Sequence, residues 1–475
     1  MPFIAFFDTE TGRNGKKVFD IGGCRDDGRQ FHDASLEGFA LFLRGADFVC
    51  GHNIFQHDLK FVRPALAAAG IPPENAIDTL PWSPLLFPQK PYHALVKDDK
   101  LQTDAINNPL NDALKARDLF HDEVTAFSRL DPGLKMIFYG LLQAQAAFSA
   151  FFKFLRFSPE NPDVTALIFE KFGADICEKA DVARFADETP IELAYALAII
   201  HCRSRFSATP PWVLRNYPEI ERVMAYLRNK PCLEGCAYCD QHLDIFKGLK
   251  QFFGFEHYRT YGGEPLQEKA VRAAVRNESL LAIFPTGGGK SITFQVPALM
   301  SGQSMKALTV VISPLQSLMK DQVDNLERAG ITEAATINGL LDPIERAKSF
   351  ERVEDGSAAL LYISPESLRS KSIERLLLGR KIARFVIDEA HCFSAWGQDF
   401  RVDYLYIADF IKNLQEKKNL ADPIPVSCFT ATAKQKVIED ICAYFREKLN
   451  LELDVFRASA ARSNLHYKVL EKEGD

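Results

Sequence analysis

Four acidic residues pose the first chemical question: Asp8 and Glu10 in PFIAFFDTETG, Asp58 in GHNIFQHDLKFV and Asp112 in NNPLNDALKARDLF. A cage of carboxylates can hold two divalent ions about 4 Å apart, a pair that activates water and steadies both oxygens of a displacement at phosphate. Asp8 and Glu10 stand two apart at the end of an apolar run, so on a strand they share one face. Alone, such a pair is as readily a solvated strand end. Asp58 follows the apolar stretch FALFLRGADFVC and falls near the start of an amphipathic helix. NNPLNDA has the Asn and Pro of a helix start, with Asp112 at the head of the helix it opens.

A second group suits nucleotide chemistry. SLLAIFPTGGGKSITFQVPAL runs from an apolar strand through a glycine loop into a helix. After Thr286, the N–H groups of Gly287, Gly288 and Gly289 can cradle phosphates, Lys290 can reach the β and γ oxygens, and Ser291 can ligate magnesium. In RFVIDEAH an apolar strand ends in Asp388, which can hold the magnesium, and Glu389, which can orient or activate the attacking water. A third group is sulfur: PCLEGCAYCDQHLD places Cys232, Cys236 and Cys239 close together, with Cys202 far upstream. Short-spaced cysteines plus a distant one are how chains assemble zinc sites, and Cys202 is the expected fourth ligand. An iron–sulfur cluster and reduced structural cysteines stay open beside zinc.

The elements that must position these groups follow from pattern. PFIAFF is continuous and rich in Phe and Ile, as in a central strand buried on both faces. MIFYGLLQAQAAFSAFF (136–152) holds two Gln and a Ser and falls short of the roughly 20 apolar residues of a membrane span, so it is expected to be a buried helix and no membrane partner is expected. The stretches VTALIFEKFGADICEKADVARF and IELAYALAIIHCRSRF also carry apolar residues near helical spacing. At 475 residues the chain has room for several domains. Its net charge of −6 gives no overall basic footprint, so contact with nucleic acid has to come from local patches. Ten cysteines and a start that reaches an acidic residue by position 8 suggest reduced thiols in the cytoplasm, nucleoid-associated if the source is bacterial.

The carboxylate segments resemble the DEDD 3′–5′ exonucleases, in which F-D-x-E-T-G and H-N-x-x-x-x-D supply acidic ligands; AIDTLPW resembles the D-T-L segment that follows. In the histidine subclass of that family the last motif is H-x-A-x-x-D. Here Asp112 takes the acidic position and Asn107 stands where the histidine would be. The resemblance implies Asp8, Glu10, Asp58 and Asp112 as magnesium or manganese ligands, with Asn107 or His93 at the position of the base. Asn cannot accept a proton at neutral pH. YHALVKD, with His93 and Asp98, is the competing frame for the last motif.

From PTGGGKS through VVISPLQSLMKDQVDNL, LLYISPESL, DEAHCFSAWGQDFR and CFTATA, the chain resembles superfamily 2 helicases of the RecQ kind. That implies Gln267 as the adenine reader and Ser313 to Gln322, with Ser364 to Glu366, as DNA-backbone segments. Phe393, Trp396, Phe400 and Arg401 would form an aromatic loop that senses single-stranded DNA, and Thr430 to Thr432 would couple ATP to DNA. Two departures stand out: F-R-P-x-Q is interrupted as YR-TYGGE-PLQ, and W-G-H-D-F-R reads WGQDFR. ARSNLHYKV resembles the link into a second RecA-like lobe, so further helicase domains in cis or trans are expected, and the chain is expected to be a fragment of a longer protein.

Together the two resemblances suggest a Werner-type helicase-nuclease of α/β class: an RNase H-like exonuclease domain (1–130), a helical connector with the Cys cluster (131–246) and one P-loop RecA-like lobe (247–475). The implied function is metal-dependent 3′–5′ exonuclease joined to the ATP-binding lobe of a DNA helicase acting on single strands or 3′ ends. A nuclease fold kept as a DNA-end or partner-binding module is one alternative, and an RNA substrate is another.

Overall fold

The N-terminal apolar run forms β1 (Ile4–Thr11), which pairs antiparallel with β2 (Val18–Arg25) and parallel with β4 (Phe48–Gly51). With β3 (Gln30–Asp33) and β5 (Ala76–Asp78) the sheet order is β3-β2-β1-β4-β5, so β1 is central as its composition predicts. Phe6 and Phe7 enter core clusters on opposite faces of that strand. The computed structural model describes residues 2–11, 18–90, 92–95, 108–160, 162–204, 208–394, 401–431 and 434–458.

The NNPLNDA segment does start a helix, Pro109–Arg129, capped by the Asn108 side chain on the N–H groups of Leu110 and Asn111. Its first turn lies directly on the sheet at Gly22, where a Cβ would come within 2.0 Å of the Leu110 nitrogen. Glycine is therefore required there, because only a bare backbone admits the close approach.

The apolar run 136–152 forms two helices rather than one, Pro132–Leu142 and Ala146–Leu155. A break at Gln143–Gln145 lets the second helix aim Phe148, Phe151 and Phe152 at Trp82, whose ring stacks on Phe151 at 4.2 Å. A single straight helix could not direct both apolar stripes at the same core. The stretch around 164–185 is likewise split, into Val164–Phe172 and Val182–Glu188, with a turn between. Among the described residues no helix is long and apolar enough to cross a membrane.

The C-terminal sheet is parallel throughout: β6 (Leu280–Ile283), β7 (Leu308–Ile312), β8 (Ala334–Ile337), β9 (Leu360–Ile363), β10 (Ile382–Ile387), β11 (Val426–Thr430) and β12 (Asp454–Arg457) in the order β12-β6-β11-β10-β7-β9-β8. Helices cover both faces, as continuous apolar strands demand. One apolar core runs from Phe6 and Trp82 through Phe148 and Tyr195 to Val296 and Met300 of this lobe. The helices of residues 132–253 thus share one core with the segments on either side of them. At the same junction Glu221, in the connector helix Ile220–Arg228, receives Lys418 at 2.9 Å and Lys381 at 3.5 Å, all three side chains being nearly sealed from solvent. Burial opposes a charge on Glu221, but the two ammonium groups hold its carboxyl below the usual range.

Candidate active sites

In the N-terminal cleft, ligand atoms of Asp8, Glu10 and Asp112 all lie within 4.8 Å of one another. Strand β1 presents the first two on one face, and the close seat of the Pro109–Arg129 helix on Gly22 brings the third to them. Three carboxylates converge although two come from one strand and the third from a helix about a hundred residues later. Asp58 lines the same cleft of about 480 Å³, but its Oδ1 accepts from the Thr9 N–H at 3.1 Å and the Thr9 hydroxyl at 2.5 Å. Burial pushes its pKa up to about 6 against those two bonds. Asp58 thereby fixes the strand between Asp8 and Glu10. Replacing Thr9 by Val keeps the shape and removes the hydroxyl donor to a buried carboxylate, so a loss of about 1.5–3 kcal/mol is expected in urea unfolding.

Asp78, in the D-T-L segment, is a positioning residue that pattern alone left without a role. Its buried carboxylate accepts from the N–H groups of Asn53, Phe55 and Leu80 at 2.6, 3.1 and 3.0 Å, pinning the loop beneath the cleft. Asn53 adopts a φ of 63°, a left-handed turn that Asn tolerates.

Of the two candidates for the base, only His93 is among the described residues. Asn107 lies outside the described residues, as does Asp98 of the competing frame. His93 is buried with Nδ1 2.8 Å from the Ser83 hydroxyl, and burial lowers its pKa to about 4. The histidines that line the cleft are His52 and His57. His52 is held by Thr79 at 2.8 Å and burial lowers its pKa to about 4, whereas His57 is exposed. His57 could have been noticed in sequence, since it immediately precedes Asp58.

In the C-terminal lobe, β6 leads through Pro285 and Thr286 into the glycine loop and the helix Lys290–Met305. Gly287 and Gly289 have φ of 73° and 85°, which L side chains avoid, and a Cβ on Gly288 would meet the Pro285 carbonyl at 2.7 Å. Lys290 and Ser291 open the helix, and the Lys290 ammonium lies 3.4 Å from Glu389. Asp388 and Glu389 stand at the end of β10, with burial raising the pKa of Asp388. His391 lies 3.2 Å from Glu389 and 3.0 Å from the Thr430 hydroxyl. Hydrogen bonds to Cys392 and Glu389 push the imidazole up to about 9, and the His391 bond in turn lowers Glu389.

Arg259, despite the inserted residues of YRTYGGE, reaches the phosphate loop: its guanidinium donates to the Gly287 carbonyl, and the Tyr261 hydroxyl donates to that of Gly288. Gln267 is buried, accepting from the Arg259 N–H at 2.7 Å and donating to the Gly289 carbonyl at 2.8 Å. The insertion therefore leaves both residues on the loop.

Residues 264–441 match the DEAD/DEAH box helicase family. The chain is similar to the ATP-dependent DNA helicase RecQ of Bacillus subtilis, 40% identical over 227 residues, which is 47% of this chain and 35% of that one. These residues form a RecQ-like DEAD/DEAH box helicase domain. The chain is also similar to the ATP-dependent helicase SGS1 of Saccharomyces cerevisiae (38% identical over 223 residues, 46% of this chain and 15% of that one). A RecQ of Haemophilus influenzae is 36% identical over 225 residues, 47% of this chain and 33% of the relative. The chain thus spans about a third or less of the length of these curated relatives.

Within the RecQ-like domain the DNA-facing expectations divide. Ser313 is buried, its N–H on the Ile363 carbonyl, and the Gln322 side chain accepts from Gln295. Arg401 donates to the Pro314 carbonyl at 3.1 Å, beside Ser313. Phe393 is 5% exposed, and its ring packs on Tyr404, Tyr444 and Phe445 at 4.7–5.3 Å. Apolar packing places that ring in the core of the lobe. Trp396, Gln398, Phe400 and Thr432 lie outside the described residues.

The cysteine cluster is corrected. Cys177, Cys232, Cys236 and Cys239 bring their sulfurs together, and Cys202 is not among them. Cys202 ends the helix Pro190–Cys202, whereas Cys177 sits in the turn between Val164–Phe172 and Val182–Glu188, its N–H bonded to the Leu227 carbonyl at 2.7 Å. Apolar spacing across 164–185 does not reveal that turn, although Gly173 and Asp181 are signals of a stop and a restart.

Proposed function

We propose that the chain is a DNA-processing helicase-nuclease: a metal-dependent 3′–5′ exonuclease site joined to the ATP-binding lobe of a RecQ-like ATP-dependent DNA helicase. The observation that carries the nuclease half is the convergence of Asp8, Glu10 and Asp112 in a cleft of about 480 Å³. That volume suits a nucleotide-sized ligand. These three residues would hold magnesium or manganese, which when bound supplies Lewis-acid stabilisation of the phosphodiester and a more acidic water. Asp58 keeps the strand rigid through Thr9. His57, on the cleft wall, is placed to take a proton, and Lys60 and Phe61 on the same wall offer a cation for phosphate and a ring for a base.

For the motor half, Gly287 to Gly289 cradle the phosphates, while Lys290 exchanges Glu389 for the β and γ oxygens of ATP. Ser291 and Asp388 suit the accompanying magnesium. Release of Lys290 leaves Glu389 with His391, and His391 touches Thr430, so nucleotide occupancy is felt at the TAT segment through one imidazole. Unwinding of DNA, with single strands or 3′ ends as partners, calls for a second lobe supplied in cis or in trans.

Binding of a fluorescent ATP analogue with magnesium tests the motor half. Lys290→Ala removes a charge-assisted contact worth about 1.5–3 kcal/mol, so affinity should fall about tenfold or more with the fold intact by circular dichroism. Equal affinity in wild type and variant would refute the assignment of this loop.

A further inference from the structure

The strongest unassigned feature is the four-sulfur cluster in the connector. Its sulfurs all lie within 4.8 Å of one another, with Cys232 and Cys239 at 3.7 Å and Cys177 and Cys236 at 3.8 Å. None of the four is in a disulfide. A tetrahedral zinc with Zn–S of about 2.3 Å places its ligand sulfurs about 3.8 Å apart. An iron–sulfur cluster spreads its thiolates over separate irons and so holds them farther from each other than one ion does.

The surroundings are built to hold the two contributing segments in register. The Cys177 N–H bonds Leu227, the Ala237 N–H bonds Glu178 at 3.3 Å, and Lys179 pairs with Glu234 at 3.0 Å. The Cys239 N–H points at the Cys236 sulfur at 3.4 Å, the backbone support that thiolate ligands receive in metal sites.

We propose that Cys177, Cys232, Cys236 and Cys239 bind one structural zinc ion that clasps the 173–181 turn to the 229–236 loop and the start of the helix that follows it. Four protein sulfurs close the coordination sphere, leaving no open position for a substrate. The clasp lies just beyond the C-terminal end of the Ile220–Arg228 helix, whose other end carries Glu221 onto Lys381 and Lys418. Zinc therefore fixes the helix that docks the connector on the RecQ-like lobe.

The test is elemental analysis of the full chain, purified without chelator or polyhistidine tag, alongside Cys177→Ser and Cys202→Ser. One zinc per wild-type chain, retained by Cys202→Ser and lost by Cys177→Ser, is the expected result. Since Cys177→Ser could also fail to fold, two measurements on wild type stand beside it. A mercurial thiol reagent should release the zinc in step with four thiols, and cobalt exchanged into the site should give the visible spectrum of a tetrahedral thiolate complex. No bound metal, iron with acid-labile sulfide, or a metal lost by Cys202→Ser and kept by Cys177→Ser would overturn the proposal.

Discussion

Glu221→Ala should lower the stability of the junction between connector and RecQ-like lobe by about 3–5 kcal/mol, the cost of breaking a buried ion pair from one side. The variant leaves Lys381 and Lys418 in a nearly dry pocket with their shared carboxylate gone. Each keeps one carbonyl, Glu221 for Lys381 and Arg380 for Lys418, and a carbonyl does not neutralise an ammonium. Both lysines would have to shed protons or admit water. Urea unfolding followed by hydrogen exchange in the Ile220–Arg228 helix reads the effect. Replacing all three residues by Met should recover most of the loss, because burying charges costs nearly as much as pairing them returns. A single Glu221→Ala that leaves both exchange and the urea midpoint unchanged would mean that the triad is wetter than its geometry indicates.

Asp112→Ala should abolish metal-dependent cleavage, by at least about two orders of magnitude, because metal stabilisation of the transition state is worth several kcal/mol. Asp8→Ala should do the same. Asp112 is partly exposed at the head of a helix already capped by Asn108, so its loss should hardly disturb folding. The contrast between lost cutting and retained stability separates a ligand from a merely structural acid. His57→Gln should slow cleavage more than His93→Gln, since His57 lines the cleft and His93 does not.

Much of this architecture was legible where a local pattern carries its own mechanism. The strand of Asp8 and Glu10 and the glycine loop between β6 and its helix announce themselves through continuous apolar runs and φ-permissive glycines. Asp112 was legible because Asn-Pro marks a helix start wherever the chain lies. What was not legible depends on contacts between distant segments. Cys177 resembles any cysteine on an amphipathic stretch until folding sets its turn against Leu227. Phe393 has the composition of a base-stacking loop, and only the packing of Tyr444 and Phe445 shows that it faces inward. Nothing in the local sequence of Glu221 indicates that it meets two lysines from the far lobe.

The most direct measurement is the degradation of 3′-labelled single-stranded and recessed DNA by the full chain with magnesium or manganese, run beside Asp8→Ala and Asp112→Ala. Loss of nucleotides from the 3′ end by wild type alone, and only with metal, is the predicted result. Wild type that binds the DNA but never shortens it under either metal, or aspartate variants that cut as fast as wild type, would contradict the assignment of the carboxylate cleft as a nuclease.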